Sequence, residues 1–116
     1  SNNERWYGSF FKIKRTKYFK YSNNKIHFTV PNEMIQNGLF LRRWRKGDKI
    51  VSSTTKKHTL VSDLFINMKL SSFEKLVQPI LVDNKDQIVW IPGIAHSEFE
   101  NKYNANQMKV VEWVRV

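Results

Sequence analysis

The octapeptide Leu41–Asp48, LRRWRKGD, sets Arg42, Arg43, Arg45 and Lys46 around Trp44 and stops at Gly47-Asp48. Guanidinium forks bind phosphate through paired N–H donors, an indole offers a stacking face, and glycine permits a tight turn. These are the parts of an RNA-backbone contact. A solvated basic strand edge has the same composition, and the octapeptide alone suits both readings. In the binding reading, the heads of Arg42 and Arg45 are exposed at a strand end. Trp44 either stacks on a base, packs over an arginine, or belongs to the core; core or arginine packing is favoured.

No other group of residues suggests chemistry. His27, His58 and His96 are far apart in the chain, and none has a neighbour at metal-ligand or triad spacing. A zinc site is not expected without thiolates. His27, on an alternating stretch, reads as a surface residue, whereas His58 could touch phosphate. The pairs Ser52-Ser53 and Ser71-Ser72 have no adjacent base, so a serine nucleophile has no candidate. Glu98 and Glu100 read as solvated. The glycines Gly8, Gly38, Gly47 and Gly93 are isolated from one another, and a nucleotide-phosphate cradle needs clustered glycines.

Charge narrows the class of partner. Of the formal +10, residues 1–57 hold 14 Lys and Arg against 3 acids, and residues 58–116 hold 6 against 7. The excess therefore lies wholly in the first half, which points to a polyanion. The leading contacts are Arg42, Arg43, Arg45, Lys46, Lys49, Lys56 and Lys57, followed by Lys69 and Lys75 on the helical segment. An anionic membrane ranks below RNA, because these cations sit on strand-like segments. The chain has no cysteine, which fits a cytoplasmic protein, and no apolar run approaches the ~20 residues of a spanning helix.

The elements that must position these groups are mainly strands. A length of 116 residues suggests one domain. Strands are expected at Phe10–Lys14 and Tyr18–Tyr21, then, after the turn Ser22-Asn23-Asn24, at Lys25–Val30. Asn32–Gln36 reads as a loop or one helical turn. Leu39–Trp44 is the next strand, which Lys49–Val51 continues after the Gly-Asp turn. Ser52–His58 is a basic loop. Val61, Leu64, Phe65 and Met68 share a helical face, with Thr59 as the N-cap, Asp63 in the first turn and Lys69 in the last. Ser71 or Ser72 caps a short helix carrying Glu74 and Lys75. Pro79–Val82 and Ile88–Ile91 form a hairpin around Asp83–Asp86. Ser97–Gln107 reads as a loop and Lys109–Val116 as a closing strand. Trp90 and Trp113 are core; Trp6 and Tyr7 are candidates for exposure. The fold class is α+β, mostly β, with one or two short helices.

Taken in order, these pieces resemble the C-terminal domain of tRNA(Ile)-lysidine synthetase. Arg42, Gly47 and Asp48 match the Arg-rich strand that ends in Gly-Asp. Asp63, Leu64, Phe65 and Ile66 match its helix, Lys75 the basic residue of a second helix, and Pro79 a Pro-led strand. Val89, Trp90, Pro92 and Gly93 match the Val-Trp-Val-Pro-Gly strand. The match runs from Leu41 to His96. The loop lysine usually just before the helix is displaced: Thr59 or Leu60 stands near that place, with Lys56 and Lys57 earlier. Lys75 stands where Arg is commoner.

The resemblance implies a layered, sandwich-like domain, shared with part of the phenylalanyl-tRNA synthetase β subunit, with a core over 39–96, N-terminal strands over 9–30 and a closing strand over 109–116. It implies a parent ligase that joins lysine to the wobble cytidine of tRNA(Ile) with a CAU anticodon. ATP with magnesium, and lysine, would bind an N-terminal domain bearing a Ser-Gly-Gly-x-Asp-Ser loop. That loop has no counterpart here, so the chain reads as a non-catalytic, tRNA-binding C-terminal piece with no cofactor of its own; Ser1-Asn2 reads partly as an expression scar. The alternative is a non-enzymatic basic module for DNA or protein.

Overall fold

The computed structural model describes residues 3–15, 25–51, 56–97 and 103–115. The strand expected at Tyr18–Tyr21, the turn at Ser22–Asn24, and Ser52, Ser53, Glu98 and Glu100 lie outside them. The chain divides into two compact units, Gly38–Phe99 and a unit made of Ser1–Asn37 with Glu100–Val116. The first nearly coincides with the core expected over 39–96. The N-terminal and closing strands, expected in the same domain, make a sheet of their own.

The terminal unit is a four-stranded antiparallel sheet. It holds β1 (Asn3–Trp6), β2 (Ser9–Arg15), β3 (Lys25–Pro31) and β10 (Met108–Arg115), in the order β1-β2-β10-β3. Val111 and Trp113 pair with residues of β2 and β3 that include the buried Phe11 and Phe28. The indole N–H of Trp113 donates to Ser9 Oγ at 2.7 Å, which satisfies a donor that burial removes from water. Asn32–Asn37 forms the short helix α1, and Ala105–Gln107 a 3-10 turn leading into β10.

The central unit carries β4 (Leu39–Arg42), β5 (Lys49–Val51), β6 (His58–Leu60), α2 (Val61–Asn67), α3 (Ser72–Val77), β7 (Ile80–Asp83), β8 (Ile88–Ile91) and β9 (Ala95–His96). The sheet order is β4-β7-β8-β5-β6, with β9 on β8. All pairs are antiparallel except β5 with β8, where Ile50 stands opposite Ile88. The strand expected over Leu39–Trp44 thus stops at Arg42, and Lys49–Val51 does not continue it; that segment joins the sheet elsewhere, between β8 and β6. Ile50, Val61, Phe65, Ile80, Val82, Ile88 and Ile91 form the core, with Trp44, Leu64 and Leu70 packed on it. Full burial of a side chain such as Phe65 stabilises by roughly 1.5–3 kcal/mol.

Both ends of α2 follow local rules, but not the ones its sequence suggests. Leu60 is the N-cap, without a side-chain bond; Thr59, the expected cap, lies in β6 opposite Ile50. Sheet pairing fixes its backbone one residue too early to cap the helix. At the other end, Leu70 N–H donates to Phe65 C=O and Lys69 N–H to Ile66 C=O. This is a Schellman closure with Lys69 at φ +56, a place usually given to glycine. Lys69 therefore lies beyond the helix and not in its last turn. Ser71 caps α3 by a capping box: its hydroxyl accepts from Glu74 N–H, and Glu74 accepts from Ser71 N–H. Hydrogen bonding to the Glu74 carboxyl, first from the Ser71 backbone N–H and then from the Ser71 side chain, holds that exposed group below the usual range.

Candidate nucleic-acid interface

The segment after β4 folds back at Arg45–Asp48, where Asp48 N–H donates to Arg45 C=O at 3.0 Å. Gly47 has φ +92, the conformation that the third residue of a type II turn requires. Trp44 turns inward and meets Phe65 edge-to-face, 5.4 Å between ring centres. The indole is therefore half-buried against the core and anchors the turn, with Arg43 and Arg45 beside it exposed.

The arginines then divide into two kinds. Arg42 does not expose its head as expected; its side chain is only 14% exposed. Its two terminal nitrogens fork onto the Asp48 carboxylate at 3.0 and 3.1 Å, and Nε donates to Asp86 at 2.8 Å. Nη1 also donates to Arg43 C=O. Four of the five N–H groups of a guanidinium are thereby engaged. Arg45 keeps a 65% exposed side chain, held at one nitrogen, where Nη1 donates to Asp86 at 3.1 Å. Its backbone N–H donates to Asp48 at 2.6 Å. Arg42, Asp48, Arg45 and Asp86 thus close a ring with two charges of each sign.

Two members of the ring, Asp48 and Arg42, have shifted pKa values. For Asp48, burial works to raise the carboxyl, but donation from Arg42, the Arg45 N–H and the field of both arginines outweigh it, and the net shift is downward. Arg42 is raised, first by its bond to Asp48, and burial opposes this only in part.

Asp86 enters the ring through the parallel strand pair. Ile50 opposite Ile88 puts Asp86 and Asp48 at matching steps just before their strands. Asp86 ends a three-residue hairpin loop in which its N–H donates to Asp83 C=O, and it has φ +61. The Asp83 carboxylate accepts from the N–H groups of Lys85 and Gln87 and holds the loop. The hairpin at Asp83–Asp86 was legible in the sequence, but its role as a partner of the arginines was not. That role depends on the β5–β8 pairing, which no local pattern announces.

Arg43, Arg45, Lys46 and Lys49 are exposed along the turn and the start of β5. Lys56 and Lys57, also exposed, lie at the far end of the β5–β6 pair, because Val51 pairs with His58 and Lys49 with Leu60. A three-residue strand puts them ~10 Å from the turn. Lys69 sits at the far end of α2, also ~10 Å along its axis, and Lys75 is on α3. The structure brings the LRRWRKGD cations together and leaves Lys56, Lys57 and Lys69 at the far ends of neighbouring elements, with Lys75 on a separate helix. His58 is exposed on β6, and His96 on β9 bonds Ser97 C=O through Nδ1. His27 departs from the surface reading: its side chain is 14% exposed, with Nε2 4.0 Å from Glu112.

Comparison with known proteins gives the chain's family and fold. Residues 39–113 match the family model of the TilS substrate C-terminal domain. The tRNA(Ile)-lysidine synthase of Thermotoga maritima is 35% identical over 70 residues, 60% of this chain and 16% of that protein. That of Bacillus subtilis is 31% identical over 84 residues, 72% of this chain and 18% of that protein. The chain thus spans less than a fifth of the length of either relative. A solved structure described as the TilS C-terminal domain superposes with a TM-score of 0.74 at 23% identity, covering 94% of this chain and 85% of that one. That superposition shows the α+β, mostly β fold, and the family match over most of the chain adds the lineage: the chain belongs to the TilS substrate C-terminal domain family.

Proposed function

We propose that this chain is the tRNA-holding part of a tRNA(Ile)-lysidine synthase. It would bind tRNA(Ile) with a CAU anticodon while a domain outside this sequence joins lysine to the wobble cytidine with ATP. The observation that carries the reading is the braced turn, which presents Arg43, Arg45 and Lys46 outward on a core-anchored backbone. A-form RNA is read chiefly through its shape and backbone, and cations held at fixed positions suit that readout. ATP, magnesium and the lysine substrate are assigned to that other domain. The chain itself is assigned no catalytic step. Among the described residues no helix is long and apolar enough to cross a membrane.

The test is a tRNA titration with the double variant Arg43→Ala/Arg45→Ala. Its control, Lys85→Ala/Lys102→Ala, removes equal charge elsewhere; Lys102 lies outside the described residues. The arginine variant should bind about tenfold or more weakly and flatten the log–log salt slope by about 0.7–0.9 for each lost phosphate contact. Equal losses in the two variants would reduce the interface to bulk charge. Equal affinity for duplex DNA at matched salt would favour a general basic module instead.

A further inference from the structure

We propose that Asp86 is a positioning residue for RNA binding: it holds the Arg45 guanidinium so that its Nε–Nη2 edge faces a phosphate. This deepens the tRNA-binding reading and rests on it. Three observations carry it. First, the Asp86 carboxylate bridges two guanidiniums, one oxygen on Arg42 Nε at 2.8 Å and the other on Arg45 Nη1 at 3.1 Å. Arg42 is itself forked onto Asp48, so the bridge is anchored at its inner end.

Second, the contact on Arg45 uses Nη1, the nitrogen away from the side-on edge. Nε and Nη2, a pair that can fork onto a phosphate, donate no hydrogen bond to Asp86. A long side chain that is 65% exposed is thereby held at one point, and Asp86 leaves that edge to another acceptor. Third, Asp86 sits at φ +61, in the left-handed place that closes a three-residue hairpin loop, where glycine or asparagine is the usual choice. Aspartate is among the few residues that tolerate this conformation, and from it the carboxylate reaches back to arginines on a different segment.

Charge alone and positioning predict opposite signs. Asp86→Asn raises the net charge by one, so bulk electrostatics predicts tighter binding of a polyanion. The asparagine suits the left-handed turn, but it puts a donor NH2 where one of the two acceptor oxygens stood and carries no charge, so it cannot offer one anionic oxygen to each guanidinium. Positioning therefore predicts weaker binding. Ordering one rotamer-rich side chain corresponds to about a threefold to tenfold change in affinity.

The experiment titrates a CAU-anticodon isoleucine tRNA transcript with the wild-type chain, Asp86→Asn, Asp86→Glu, Arg45→Ala and the double variant Asp86→Asn/Arg45→Ala, with a thermal melt of each. Asp86→Asn should bind about threefold to tenfold more weakly with an unchanged melt. Asp86→Glu should recover part of the loss, and the double variant should bind no more weakly than Arg45→Ala. Affinity of Asp86→Asn equal to or tighter than wild type overturns the positioning role, as does a loss that adds in full to that of Arg45→Ala. A wild-type chain that fails to bind the transcript overturns the functional reading as well, and the wild-type arm alone reveals that.

Discussion

Two carboxylates in this molecule are withdrawn from water in different ways. Asp48, in the central unit, has a side chain 12% exposed and takes three directed bonds: two from Arg42 and one from the Arg45 backbone N–H. Glu112, on β10 of the terminal sheet, is fully buried. Its nearest cationic atoms are Lys14 Nζ at 3.4 Å and His27 Nε2 at 4.0 Å, and its two oxygens make no hydrogen bond to the described residues. Directed bonds replace what water supplied, whereas a Coulomb attraction at such distances leaves lone pairs unfilled. The first arrangement builds a shape: it pins a turn and sorts an inner arginine from an outer one. The second only neutralises charge within a sheet. Salt bridges in one chain therefore do not carry equal structural weight.

The sharpest way to break that comparison is Arg42→Ala. It strips Asp48 of a forked partner in a half-dry setting and should lower stability by about 2–4 kcal/mol in denaturant melts. The sequence placed this head exposed at a strand end; an unchanged melt would restore that view and remove the brace.

Next comes Asp48→Asn, expected to cost about 1–3 kcal/mol at neutral pH. Its pH dependence tests the cause. The folded-state carboxyl is depressed, so the unfolded chain binds the proton more readily. The stabilisation is then present above the ordinary carboxylate value, near pH 4, and fades as pH falls through the lower folded value. Chemical melts from pH 6 to pH 2 should show wild type and Asp48→Asn converging; parallel curves would dissociate Asp48 from the acid loss.

Glu112→Gln should have the smallest effect. It keeps the shape and removes a buried charge that lacks directed bonds, so stability should change by less than about 1 kcal/mol in either direction. A loss as large as that of Arg42→Ala would mean that both carboxylates carry weight, and the distinction would fail.

What the sequence disclosed and what it hid divide along physical lines. Alternation marked Lys25–Val30 and Lys109–Val116, found as β3 and β10, and the i, i+3, i+4 spacing of Val61, Leu64 and Phe65 marked α2. The Ser71–Glu74 box and the hairpin at Asp83–Asp86 are written in neighbouring residues, and both formed. The basic turn was visible because Arg, Trp and Gly-Asp lie side by side. Features that depend on distant partners were hidden. Nothing near Lys49–Val51 says that it will run parallel to β8. The direction of Arg42 depends on Asp86, far along the chain. Positive backbone angles on residues that seldom take them also concealed structure. Tyr7 at φ +43 closes the β1–β2 hairpin where asparagine would have announced it, and Lys69 at φ +56 ends α2 without a glycine.

Val61 N–H, at the start of α2, donates to Asp48 C=O at 2.9 Å. The amide that opens the helix is therefore protected by the residue that closes the basic turn. Local opening of that turn exposes the Val61 amide to solvent, so turn and helix start exchange hydrogen as one cooperative patch. A ligand that clamps the turn would slow exchange at Val61 without touching the helix, making this amide an isotope reporter of occupancy at the cations.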